Sequence, residues 1–97
     1  LHFMYSYQVI PKHGIKLIDS IVTFIRTNYP NDESGIVYCF SHKESERVAQ
    51  NLQKRGFTAM HYHAGMDPQD RSKVQKDWFH GRIKIICATV AFGMGML

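Results

Sequence analysis

Three short apolar runs, residues 36–40, 57–62 and 84–88, alternate with two stretches of helical character. This alternation admits few folds. The first run, Ile36, Val37, Tyr38, Cys39 and Phe40, is nearly unbroken, as expected for a strand buried on both faces of a parallel sheet. From residue 36 onward the order is strand, helix, strand, helix, strand. Repeated βαβ units of this kind imply a parallel sheet with helices on both faces. Ligands of such sheets bind at the carboxyl ends of the strands, which here are residues 41–43, 63–66 and 89–95.

Local signals set the helices. Ile15, Ile18, Ile21, Val22, Ile25 and Tyr29 follow the three-and-four spacing of one helical face that stops before Pro30. Ser41 and Glu44 form an S-x-x-E capping box, so a helix is expected from there to about Arg55, with Val48, Ala49 and Leu52 inward and Gly56 as its stop. Asp67 before Pro68 fits an N-cap with proline in the first turn. Val74 and Trp78 mark that helix's buried face, and Gly81 ends it. Residues 3–10 are extended in character and closed by Pro11, which predicts one further strand.

The chain has 97 residues, 44% hydrophobic and 21% charged, which allows one modest core and argues against disorder. Its purely apolar runs, such as residues 85–87, are far too short to span a bilayer, so no membrane partner is expected. Residues 1–8 are aromatic and polar and do not read as a secretory signal. Twelve Lys and Arg against eight Asp and Glu give a net charge of +4, mildly favouring an anionic partner such as nucleic acid. Cys39 and Cys87 lie inside apolar runs without CxxC spacing, the pattern of buried free thiols in an intracellular reducing compartment. Six histidines raise the question of a metal site. His61 and His63 alternate on a strand but have no Cys or carboxylate at ligand spacing, so no metal ligands are expected.

The strand ends carry groups suited to phosphate. Ser41 and Thr89 bring hydroxyls at or beside helix starts, where free N–H groups and the helix dipole favour an anion. A serine there is also an ordinary cap. Gly93 and Gly95 allow backbone to approach a ligand closely, or simply make a tight turn. No GxxxxGK[ST] loop, GxGxxG fingerprint or HExxH pair occurs. The residues alone thus give an α/β domain with a possible phosphate-facing edge.

A more specific resemblance rests on three strings. Gly35-Ile36-Val37-Tyr38-Cys39-Phe40-Ser41 resembles helicase motif IV of the RecQ family, and Tyr62-His63-Ala64-Gly65-Met66 resembles the segment that follows it. Ala88-Thr89-Val90-Ala91-Phe92-Gly93-Met94-Gly95 is similar to RecQ motif V. The three stand in family order and spacing, near residues 35–41, 62–66 and 88–95. The resemblance implies that residues 1–97 are part of a second RecA-like domain, a P-loop NTPase-type fold truncated at both ends. The parent would be an ATP-dependent DNA helicase that moves 3′ to 5′ and unwinds duplex DNA in repair and recombination.

By the same resemblance Ser41, His42, His63, Gly65, Arg71 and Thr89 contact nucleic acid, while Gly93 and Gly95 face ATP. For Arg71 the alternatives are a bidentate phosphate contact and an exposed helix-surface charge. The implied cofactors are ATP and Mg²⁺. The implied partners are single-stranded DNA, duplex junctions and the first RecA-like domain of the parent. The implied location is the nucleus in a eukaryote and the cytoplasm otherwise.

Two departures stand out. Many RecQ sequences have Arg where this chain has His42, and a histidine carries charge only in mildly acidic solution. After Gly95 the family continues with Ile, an acidic or amide residue, Lys and Pro, whereas this chain reads Met96-Leu97. The phosphate-binding loop and metal carboxylates are expected before Leu1, and motif VI with its arginine finger after Leu97. No catalytic residue is therefore assigned within the chain. A stand-alone, non-catalytic nucleic-acid-binding module with the same fold is the alternative reading. A flavodoxin-like ligand-binding protein is a third.

Overall fold

The computed structural model describes residues 14–89. In chain order the elements are α1 (Gly14–Asn28), β1 (Gly35–Tyr38), α2 (His42–Lys54), β2 (Ala59–Tyr62), α3 (Pro68–Phe79) and β3 (Ile85–Ala88). The strands form one parallel sheet in the order β1-β3-β2. Gly35 and Ala59 both pair with Ile85, and Tyr38 and Tyr62 both pair with Ala88, so the three strands end level.

Alternation along the strands splits the core in two. Val37, Cys39, Ala59, Ile85 and Cys87 face α1 and α2, where they meet Ile18, Ile21, Val22, Ile25, Val48, Ala49 and Leu52. Ile36, Met60, Tyr62, Ile86 and Ala88 face α3 and meet Val74 and Trp78. Helices thus lie on both faces, as the βαβ order implies. Leu52 and Ile86 are fully buried, each stabilising the fold by about 1.5–3 kcal/mol relative to exposure. Cys39 and Cys87 are buried free thiols. Burial pushes the Cys39 thiol up to about 12, with nearby Glu44 adding to the shift.

The helix ends follow local chemistry. Ser41 Oγ accepts the Glu44 N–H at 3.1 Å at the start of α2. After α2 the Gly56 N–H donates to Gln53 O and the Phe57 N–H to Leu52 O, with Gly56 at φ +93°. This is a Schellman termination, which favours glycine in the left-handed position. Gly81, at φ +79°, ends α3 by the same pair of bonds, to Trp78 O and from Arg82 N–H to Asp77 O. Pro68 stands in the first turn of α3 as expected, but the Asp67 side chain makes no cap hydrogen bond. Asp67 is the N-cap residue of α3 by position, with its backbone extended at φ −60° and ψ 142°.

The strands depart from expectation at β1. Tyr38 is 55% exposed and Phe40 95% exposed, so the carboxyl end of this strand is not buried on both faces. β1 has β3 on one side only in the described sheet, and the apolar cluster under α3 reaches Ile36 but neither aromatic. Strand β2 begins at Ala59 rather than residue 57, because Phe57 is taken up in the termination of α2. The extended segment expected over residues 3–10 lies outside the described residues.

Candidate nucleic-acid interface at the strand ends

Because the strands end in register, the residues that follow them share one edge. The Cys39 N–H donates to Ala88 O at 2.7 Å, and the Thr89 N–H donates to Tyr62 O at 3.3 Å. Those bonds close the sheet. Ser41, His63 and Thr89 follow within two residues of them. Ser41 is exposed and spends one lone pair on the cap. A hydroxyl has a second lone pair and a rotatable proton, so the structural role leaves Ser41 able to donate to an anion. Thr89 is half-buried.

His42 and His63 come together. Their rings stack at 4.1 Å between centroids and 9° between planes. His42, in the first turn of α2, is exposed, whereas His63 beneath it is 5% exposed. His63 Nε2 lies 2.7 Å from Glu46 Oε2, and Nδ1 accepts the Gly65 N–H at 3.0 Å. A ring nitrogen that accepts a hydrogen bond holds no proton, so the neutral ring carries its proton on Nε2 and donates it to Glu46. That hydrogen bond is the main cause holding the Glu46 carboxyl below its ordinary value.

Gly65 is placed by close approach. A Cβ at this position would meet His63 Cε1 and Nδ1 at 3.1 Å and His42 Nδ1 at 3.2 Å. The turn is closed further by the Met66 N–H donating to His63 O at 3.2 Å. Ser41, His42, His63, Gly65 and Thr89 therefore occupy one edge. Arg71 stands apart on α3. It is half-buried rather than an exposed surface charge, and its Nε–H is out of solvent with no acceptor among the described residues. Gly93 and Gly95 lie outside the described residues.

Sequence reasoning missed Glu46. His61 and His63 have no carboxylate at ligand spacing in the sequence, but the fold brings Glu46 to 2.7 Å from His63. The carboxylate is remote in sequence and arrives from α2 across the fold. A usable signal existed: Glu46 is four residues after His42 on one helix, so the two share a face.

Residues 15–97 match the family described as the helicase conserved C-terminal domain. The chain is 46% identical over 95 residues to the ATP-dependent DNA helicase Q-like 2 of Arabidopsis thaliana, covering 98% of this chain and 14% of that protein. It is 44% identical over 92 residues to the ATP-dependent DNA helicase Q1 of Rattus norvegicus, with 95% and 15% covered. To the RecQ-like DNA helicase BLM of Xenopus laevis it is 43% identical over 92 residues, with 94% and 7% covered. The chain thus spans 15% or less of the length of these three relatives. A solved structure of the Mycobacterium smegmatis helicase Lhr, bound to ssDNA and AMP-PNP, shares the fold. Its TM-score is 0.61 and its identity 22%, covering 84% of this chain and 11% of that one. The chain belongs to the helicase conserved C-terminal domain family, and its sequence is of the kind found in RecQ-type DNA helicases.

Proposed function

We propose that this chain serves as part of the second motor domain of an ATP-dependent 3′ to 5′ DNA helicase, and that its strand-end edge holds phosphates of one DNA strand. The observation that carries the reading is the convergence of Ser41, the His63–Gly65 turn and Thr89 at one level of a parallel sheet, beside the amino end of α2. Free N–H groups and the dipole of a helix start favour an anion there. Arg71 is the second source of positive charge. Its Nε–H has no acceptor among the described residues, and a guanidinium is suited to bidentate phosphate contact.

The relatives named as ATP-dependent helicases support the enzymatic reading over a non-catalytic module. In the parent, Gly93 and Gly95 would face ATP and Mg²⁺ in a cleft shared with the first RecA-like domain. The substrates would be single-stranded DNA and duplex junctions, and a eukaryotic parent would act in the nucleus in repair and recombination. None of the described helices is long and apolar enough to cross a membrane.

The test is a titration of this chain with a single-stranded oligonucleotide at several salt concentrations. Each phosphate neutralised by a cation contributes about −0.7 to the log-log slope on a single strand, and hydroxyl contacts contribute none, so Arg71 alone predicts a slope of roughly −0.7. An affinity that ignores salt would overturn the phosphate edge. Thr89→Ala should weaken binding alike for every oligonucleotide sequence, since phosphate contacts carry no base information.

A further inference from the structure

We propose that Glu46, His61 and His63 form a binding site for a divalent transition-metal ion of the Zn²⁺ class, on the α2 side of the strand-end edge. One ligand atom from each of the three residues lies within 4.8 Å of the other two. His61 and His63 are two apart on β2 and its extension, so both project to the sheet face that α2 covers. Their rings are 5.4 Å apart and inclined by only 20°. Glu46 reaches the same place from α2.

The donor chemistry selects the class of ion. Two imidazoles with one carboxylate are the ligands of a three-residue zinc site whose fourth position is left to water. Mg²⁺ and Ca²⁺ take oxygen ligands, while imidazole suits Zn²⁺, Cu²⁺ and Ni²⁺. The exposure fits an open fourth position, because His63 is buried whereas Glu46 and His61 are half-exposed. Ligand bonds of 2.0–2.1 Å in a tetrahedron set neighbouring donor atoms about 3.3 Å apart. The Glu46–His63 pair, now at 2.7 Å, must open slightly and His61 must close. Both moves belong to half-exposed side chains that can rotate.

Metal binding at this site alters the turn beside it. The His63 Nε2 facing Glu46 carries the ring proton, because Nδ1 accepts from the Gly65 N–H. An ion bound at Nε2 needs that lone pair, so the proton moves to Nδ1 and no proton is lost from the ring. Nδ1–H then confronts the Gly65 N–H, two donors without an acceptor, and that hydrogen bond breaks. A bound ion therefore has a signature at Gly65, a residue that supplies no ligand atom. The site rests on geometry alone and stands whether or not the DNA reading does.

The 97-residue chain, stripped of metal, is titrated with Co²⁺ as a visible probe and then with Zn²⁺ in competition, with the Gly65 amide followed by NMR. One ion per chain, Co²⁺ absorption bands displaced by Zn²⁺, and a shift of the Gly65 amide are expected. His61→Ala and Glu46→Gln should each weaken binding about tenfold or more, a scale seen even for residues that only support ligands. His80→Ala, at the end of α3, should not. If Glu46→Gln fails to fold, His61→Ala decides, since His61 is half-exposed and its folding is checked by circular dichroism. Absence of Co²⁺ bands at millimolar ion, or equal affinity in the wild type and His61→Ala, overturns the site.

Discussion

A methyl group at Gly65 would press on both rings of the His42–His63 stack, at 3.1 and 3.2 Å. Gly65→Ala should therefore displace the turn, at a stability cost of about 1–3 kcal/mol for overpacking. Oligonucleotide affinity should fall with it. Unchanged ring-proton shifts for His42 and His63 in the variant would show that the turn yields instead. Asp77 offers a test by pH. Lys73 donates to it at 2.9 Å and Arg82 at 2.8 Å, and these bonds hold its carboxyl below the ordinary 3.8. A carboxylate with a lowered folded pKa binds its proton more weakly folded than unfolded. Its stabilisation is complete above the unfolded value and is lost as pH falls through the lowered folded one. Asp77→Asn should lower Tm at pH 7 and flatten the decline of Tm below about pH 4. At this scale Ser41 was legible because a cap is a local event. Glu46 was not, because its partner lies on another element and only the packing of α2 on β2 joins them.

Helix α3 is fastened to the sheet by Trp78, which is 4% exposed and donates its indole N–H to Gly35 O at 3.2 Å. Trp78→Ala removes a buried aromatic together with its hydrogen bond to that carbonyl. The expected loss is about 3–5 kcal/mol, a large share of what a domain of this size commands. The variant should be largely unfolded at room temperature by circular dichroism, and a native-like thermal transition would contradict the placement of α3. The elements themselves were readable, since helix spacing, the S-x-x-E box and the two terminating glycines all act within a turn or two. The exposure of Tyr38 and Phe40 was not. An apolar run states that a strand is apolar, whereas its place at the margin of the sheet follows from where two later crossovers deposit β2 and β3.

For the molecule as a whole, the inventory of parts predicts no ATP turnover by this chain alone. Phosphoryl transfer needs a loop and lysine around the β and γ phosphates, carboxylate-held Mg²⁺ and a positioned water, usually with an arginine finger. No GxxxxGK[ST] or DExH string occurs in the 97 residues. Phosphate release with saturating single-stranded DNA should appear only when both RecA-like domains are present through motif VI. DNA-stimulated turnover by the 97-residue chain would contradict this. The strand order has a separate bearing on how the polypeptide is made. β1 and β2 each pair with β3 and not with one another, and β3 is the last described strand to leave the ribosome. Until residue 88 clears the exit tunnel, the two earlier strands have no rung of this ladder to form, and their helices have only a partial floor to pack on. Such non-local pairing is slow and leaves apolar surface exposed meanwhile. Nascent chains stalled before residue 85 should therefore remain protease-sensitive and bind chaperones, with protection arriving in one step once the central strand is available.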